Sequence, residues 1–222
     1  MIVAEQKPLK EIIAMTSPFK KLLIVGCNEC VTVCHAGGRK EVEQLAAALA
    51  MAAQKDGRPL EIKEVTLERC CDPEYIEQVR PFIDQYEAVL SCACSVGTQY
   101  FADTYPTKWA LPALNTSFMG GSLAQGIWAE RCAGCGNCIL HETGGICPIA
   151  RCSKRMLNGP CGGSTGGHCE VNPDIPCGWQ LIWDRLVALG RTPDYAKIMA
   201  AKDWNTSRDG GPRKIVREDL TI

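Results

Sequence analysis

Between Gly120 and Gly178 the chain is rich in glycine, cysteine and proline and has little periodic apolar pattern. Such a stretch cannot build a hydrophobic core alone, so bound metal is expected to supply much of its folding free energy. Ligands for that role are abundant. Cys132, Cys135, Cys138, Cys147, Cys152, Cys161, Cys169 and Cys177 all lie within it. Eight thiols are the number needed for two four-cysteine sites.

The 222 residues hold 15 cysteines in all. A secreted disulfide scaffold is the competing explanation, and it fits poorly, because such scaffolds are usually short and enter the secretory route. In the opening MIVAEQKPLKEIIAMTSPFKK, Glu5, Lys7, Lys10 and Glu11 interrupt any signal-peptide core. No apolar run approaches a membrane span. A cytoplasmic chain with reduced, metal-binding thiols is therefore expected. The net charge of −1 and pI near 6.3 lack the basic excess of a nucleic-acid surface.

CAGCGNC, Cys132 to Cys138, places three thiols at two-residue gaps, and Cys147-Pro148 follows. This is close to the iron–sulfur pattern Cys-x2-Cys-x2-Cys-x3-Cys-Pro, although eight residues rather than three precede the last cysteine. Three thiols on a tight loop reach three corners of a cubane, and Gly134 and Gly136 let amides turn toward sulfide. Zinc sites favour Cys-x2-Cys pairs separated by longer loops. Cys152, Cys161, Cys169 and Cys177 have no diagnostic spacing, and Cys147 can be assigned to either site. Two [4Fe-4S] clusters are the leading expectation for this region, with zinc as the alternative. His35, His141 and His168 lie near cysteines but suit polar loops better than ligation. NGPCGGSTGG lacks the P-loop lysine and the Rossmann spacing.

The first half alternates strands and helices. KLLIVG reads as a buried strand, LEIKEVTL as a second with partial alternation and EAVLSC as a third, with KWALPALNT a weaker fourth because of Pro112. GGRKEVEQLAAALAMAAQKDG reads as a helix, and Asp72-Pro73 opens another that runs to Tyr86 with a bend at Pro81. The expected fold is α/β: a small three-layer parallel sheet, Rossmann- or flavodoxin-like, over residues 1–118. An irregular metal-cluster region with a C-terminal amphipathic helix and an extended polar tail then fills 119–222. In that helix Ile182, Trp183, Leu186 and Leu189 are expected to pack on the metal-held segment.

Cys27, Cys30 and Cys34 follow the first of these strands, Cys70 and Cys71 the second, and Cys92 and Cys94 the third. In an open parallel sheet those positions share the carboxyl edge where ligands bind, so a third metal site is expected there. Seven thiols exceed one site's needs, and Cys70 and Cys92 suit the role of small buried hydrophobes. Cys27-x-x-Cys30 also resembles a redox dithiol. No catalytic triad or carboxylate pair stands out.

VGCNECVTVCHAGGRKEVEQLA, LERCCDPEYIE, LSCACSVGTQ and above all ICPIARCSKRMLNGPCGGSTGGHCEV resemble the methylenetetrahydrofolate reductase C-terminal family. The likeness runs from about Pro8 to Trp204. It implies that Cys27, Cys30, Cys34, Cys71 and Cys94 are the family's N-terminal cysteine positions, with Cys70 and Cys92 as additions. It further implies a small, cysteine-rich subunit of an acetogen-type reductase in the Wood–Ljungdahl pathway. Its partner would be a TIM-barrel catalytic subunit that carries FMN and reduces methylenetetrahydrofolate to methyltetrahydrofolate. Ferredoxin or a larger electron-transfer complex would be the donor. Two other readings stand beside electron transfer: a zinc-stabilised structural or assembly subunit of the same complex, and a stand-alone thiol-redox protein using Cys27 and Cys30.

Overall fold

The computed structural model describes residues 1–220. The chain divides into two compact units, Met1–Trp128 and Ala129–Ile222.

The first unit begins with β1 (Ile2–Gln6), α1 (Leu9–Thr16), β2 (Lys21–Cys27), α2 (Cys30–Val33), α3 (Arg39–Lys55) and β3 (Glu61–Leu67). It continues with α4 (Pro73–Ile76), α5 (Arg80–Ile83), β4 (Ala88–Cys92), α6 (Ser95–Thr104), β5 (Trp109–Pro112) and β6 (Leu114–Ala124). β7 (Ile127–Cys132) runs through the boundary into the second unit, which holds α7 (Pro148–Arg151) and α8 (Gly178–Ala188). This is a mixed α/β protein with one parallel and one antiparallel sheet.

The parallel sheet has the order β3-β2-β4-β5. β2 pairs in parallel with β3 on one side and with β4 on the other, and β5 pairs in parallel with β4. The chain thus steps outward from β2 to β3, then returns past β2 to β4. That reversal is the switch point at which doubly wound sheets leave a crevice beyond their carboxyl ends. Burial on both faces explains the unbroken apolar runs: Leu22 to Val25 and Ala88 to Leu90 are all 0–1% exposed. α3 directs Val42, Leu45, Ala46 and Leu49 inward at helical spacing.

The expected strands are all present, and the expected helices differ in one place. The stretch from Asp72 to Tyr86 is not one bent helix. α4 gives way to a 3-10 turn, Glu77–Val79, and then to α5. Pro81 has no N–H for the ladder and its ring crowds the carbonyl four residues earlier, on Glu77, where the tighter winding begins. Asp72 does cap the start, accepting a hydrogen bond from Glu74 N at 3.2 Å.

The antiparallel sheet, of order β1-β6-β7, was not anticipated. β1 pairs with β6 from Ile2↔Met119 to Gln6↔Leu114, with a bulge between Val3 and Ala4. α1 follows directly, and its Ile12 is fully buried in the unit's core while Ile13 and Met15 pack against it. These apolar residues serve the chain's own fold.

One close approach fixes the carboxyl edge. Gly37 O accepts a hydrogen bond from Cys27 N at 3.0 Å, and a Cβ on Gly37 would stand 1.8 Å from Cys92 O. The loop after β2 therefore lies against the end of β4 with no room for a side chain. Gly37→Ala should destabilise the protein by about 1–3 kcal/mol, in the range of overpacked core sites. The check is the urea midpoint of the reduced full-length chain.

Candidate metal centre

The parallel register brings the first unit's thiols to one edge. Cys27 ends β2, Cys30 opens α2, and Cys34 closes it. Cys70 and Cys71 follow β3, Cys92 ends β4, and Cys94 occupies the N-cap position of α6. Arg69 spans two of these loops, with guanidinium nitrogens 3.6 Å from Glu29 and 3.5 Å from Asp72. At 43% side-chain exposure that pairing guides the loops more than it stabilises them.

Within this edge the sulfurs fall into two neighbourhoods. Cys27 and Cys70 act on each other, and Cys71 feels Cys94 and Cys27. The Cys27 thiol is lowered to about 6, chiefly by a hydrogen bond from Cys70 and against the effect of its burial; backbone amides of Glu29 and Cys70 add to it. Cys70 is correspondingly raised by that bond and by burial. Burial and the nearby Cys94 and Cys27 sulfurs raise Cys71. Cys34 is turned elsewhere: its Sγ lies 3.4 Å from Ala4 O, burial raises it, and its sulfur neighbour is Cys30. Cys92 is fully buried and pushed up to about 12 by desolvation, as befits a packing residue.

Cys70 is fully buried, and its Sγ donates to Gly26 O at 3.4 Å. It neighbours Cys27 from a loop 43 residues away, and spacing carries no signal for that adjacency.

In the second unit the fully buried core is small: Cys177, Trp179, Ile182 and Leu186. Of the four α8 residues expected to pack inward, Ile182 and Leu186 do so. Trp183 and Leu189 are 39% and 49% exposed, and Trp179 takes the inner position. The inner face is 179, 182 and 186, one step round the helix from the expected one. Trp183 instead meets the edge of Tyr195 with ring centroids 5.0 Å apart.

The loops around this core are held by polar contacts. In NGPCGG, Asn158 grips the backbone of Met199 with both ends of its amide, donating at 2.9 Å and accepting at 2.7 Å. Gly159 lies against the Trp179 ring, whose Nε1 donates to Met156 O at 3.0 Å. Cys169 Sγ is 3.4 Å from Ser153 Oγ, and that contact lowers the thiol. Cys132, Cys138 and Cys161 are exposed, while Cys135, Cys147, Cys152 and Cys169 are half-buried and Cys177 is buried. His35, His141 and His168 are all exposed.

Among the described residues no three His, Cys, Asp or Glu side chains stand together as a ready metal-holding group. The donor chemistry nonetheless suits a thiolate-bound metal. Around Cys132 the backbone already turns toward sulfur: Gly134 N donates to Cys132 Sγ at 3.3 Å. Gly134 and Gly136 have φ of +62° and +77°, a conformation glycine adopts without strain. With 15 cysteines in the chain, the residues present point to metal binding.

The depressed Cys27 thiol has a defined consequence for stability against pH. Its folded value lies below the ordinary 9.0, so its contribution is complete above the unfolded thiol's pKa and is lost as pH falls through about 6. In metal-free, reduced protein, the stability of wild type relative to Cys27→Ser should rise between those limits. Cys70→Ala should move the Cys27 titration, followed by ultraviolet thiolate absorbance, back toward the ordinary value.

Comparison with curated proteins and with solved structures returned no match. Comparison with protein families returned one, and it spans the end of β5, the β6–β7 hairpin, the CAGCGNC loop, NGPCGG and α8. The N-terminal motifs lie outside it. Residues 111–205 match the family described as Methylene-tetrahydrofolate reductase C terminal, in agreement with the resemblance read from the sequence over that segment.

Proposed function

We propose that this chain is an electron-transfer subunit of a methylenetetrahydrofolate reductase. Its thiols hold [4Fe-4S] clusters, two in the second unit and a third metal site at the carboxyl edge of the parallel sheet. A separate TIM-barrel subunit carries FMN and reduces methylenetetrahydrofolate to methyltetrahydrofolate. Ferredoxin or a larger electron-transfer complex supplies the electrons, in the cytoplasm. Clusters supply one-electron steps, which a flavin gathers for two-electron chemistry.

The observation that carries this reading is the pairing of eight cysteines with a four-residue buried core inside the segment that matches the family. So little apolar burial leaves the loops of the second unit dependent on bound metal. The proposed ligands there are Cys132, Cys135, Cys138, Cys147, Cys152, Cys161, Cys169 and Cys177. At the sheet edge they are drawn from Cys27, Cys30, Cys34, Cys71 and Cys94. Among the described residues no helix is long and apolar enough to cross a membrane.

The test is anaerobic purification followed by iron, acid-labile sulfide and zinc analysis, with EPR before and after dithionite. The proposal expects roughly eight or more irons per chain, two cubanes' worth, and signals that appear on reduction. Zinc with negligible iron and no signal would leave the structural-subunit reading in its place. Stripping the metal should also raise hydrogen exchange far more in residues 129–220 than in 1–128, because only the latter has a large apolar core.

A further inference from the structure

The polar tail expected to be extended is folded back. Trp204–Thr206 and Arg208–Gly210 are 3-10 turns. Asp203 Oδ1 accepts from Asn205 N at 2.9 Å and Ser207 Oγ accepts from Asp209 N at 3.0 Å, so each turn is capped by its own side chain. Ser207 is 4% exposed. The result is a formed arm, residues 202–213, and it lies on the Cys132–Cys138 loop.

Three side chains of the arm donate to three carbonyls of that loop. Arg213 Nη1 donates to Gly134 O at 2.6 Å and to Thr206 O at 2.8 Å, bridging loop and arm. Thr206 Oγ1 donates to Cys135 O at 2.9 Å. Lys202 Nζ donates to Asn137 O at 2.9 Å. Between them the two backbones touch: a Cβ on Gly136 would lie 2.2 Å from Thr206 O.

In a trans peptide the carbonyl of one residue and the N–H of the next point in opposite directions. Holding Gly134, Cys135 and Asn137 carbonyls on the arm side therefore directs the amides of Cys135, Gly136 and Cys138 to the other side. Those amides are the donors a bound thiolate needs, and fixing them in advance removes an ordering cost from binding.

We propose that the arm is the positioning element of the Cys132–Cys138 metal site, with Thr206 and Arg213 as its positioning residues. This rests on reading that loop as a metal site. No arm side chain is itself a ligand; the arm acts by aiming the loop's backbone.

The test uses the full-length protein as purified, challenged with a chromogenic chelator while metal release is followed. Outer-shell partners of metal ligands typically change affinity 10–100-fold. Thr206→Val/Arg213→Ala should accordingly release part of its metal about tenfold faster than wild type. Thr206→Val alone should shift release less, in the same direction, and Arg213→Lys should restore most of the wild-type rate. Hydrogen exchange of residues 133–138 should quicken in the double variant while residues 1–128 are unchanged. Unaltered exchange in 133–138 would overturn the arm's hold on the loop, and unaltered release would overturn its role in metal retention. Cys132→Ser separates this from the underlying reading. If that variant keeps the full metal content, the loop is not a metal site and both ideas fall; if it loses metal while the double variant does not, only the arm's role fails.

Discussion

β2 pairs in parallel on both sides, and most of the first unit's chemistry follows from that. A parallel strand must be approached from the same end as its neighbours, so the loops leaving β2, β3 and β4 all emerge at one edge. Each of those loops carries cysteines. Thiols 43 residues apart, Cys27 and Cys70, are thereby made neighbours. The interior of the sheet is apolar enough to fix this register without help from the thiols: a one-residue slip would misplace every inward side chain.

The second unit is organised by the opposite means. Among its described residues there is no sheet apart from the end of β7, and several of its backbone polar groups are met by side chains. Asn158 serves Met199, Trp179 serves Met156, and Arg213, Thr206 and Lys202 serve the cysteine loop. Such contacts specify a conformation more than they stabilise one, since each returns only about 1 kcal/mol after desolvation. A unit built this way suits a polypeptide whose stability comes from ligation at its sulfurs.

This contrast explains what the sequence made legible. β2 and β4 announce themselves as unbroken apolar runs and α3 as a 3.6-residue stripe, because burial alone shapes them. β1 and β6 escaped notice because each is stabilised mainly by the other: IVAEQ is short, and LNTSFMGGSLA interrupts its alternation with two glycines. The Cys132–Cys138 loop is visible from spacing, but its three carbonyl partners lie in a tail without periodicity, where nothing local marks Thr206 or Arg213. The neighbourhood of Cys70 is hidden for a related reason: its proximity to Cys27 is a property of the sheet register and is not written at position 70.

The partnership of β1 with β6 also bears on how the protein is made. Ile2 leaves the ribosome long before Met119, its partner in the antiparallel pair. Throughout that interval β1 has no strand to lie beside, and closing so long a loop is slow. An apolar strand left waiting would be a hazard for a nascent chain crowded among its own copies. β1 is only five residues long, with Glu5 and Gln6 at one end and a bulge after Val3, features that make an open strand a poor template for the wrong neighbour.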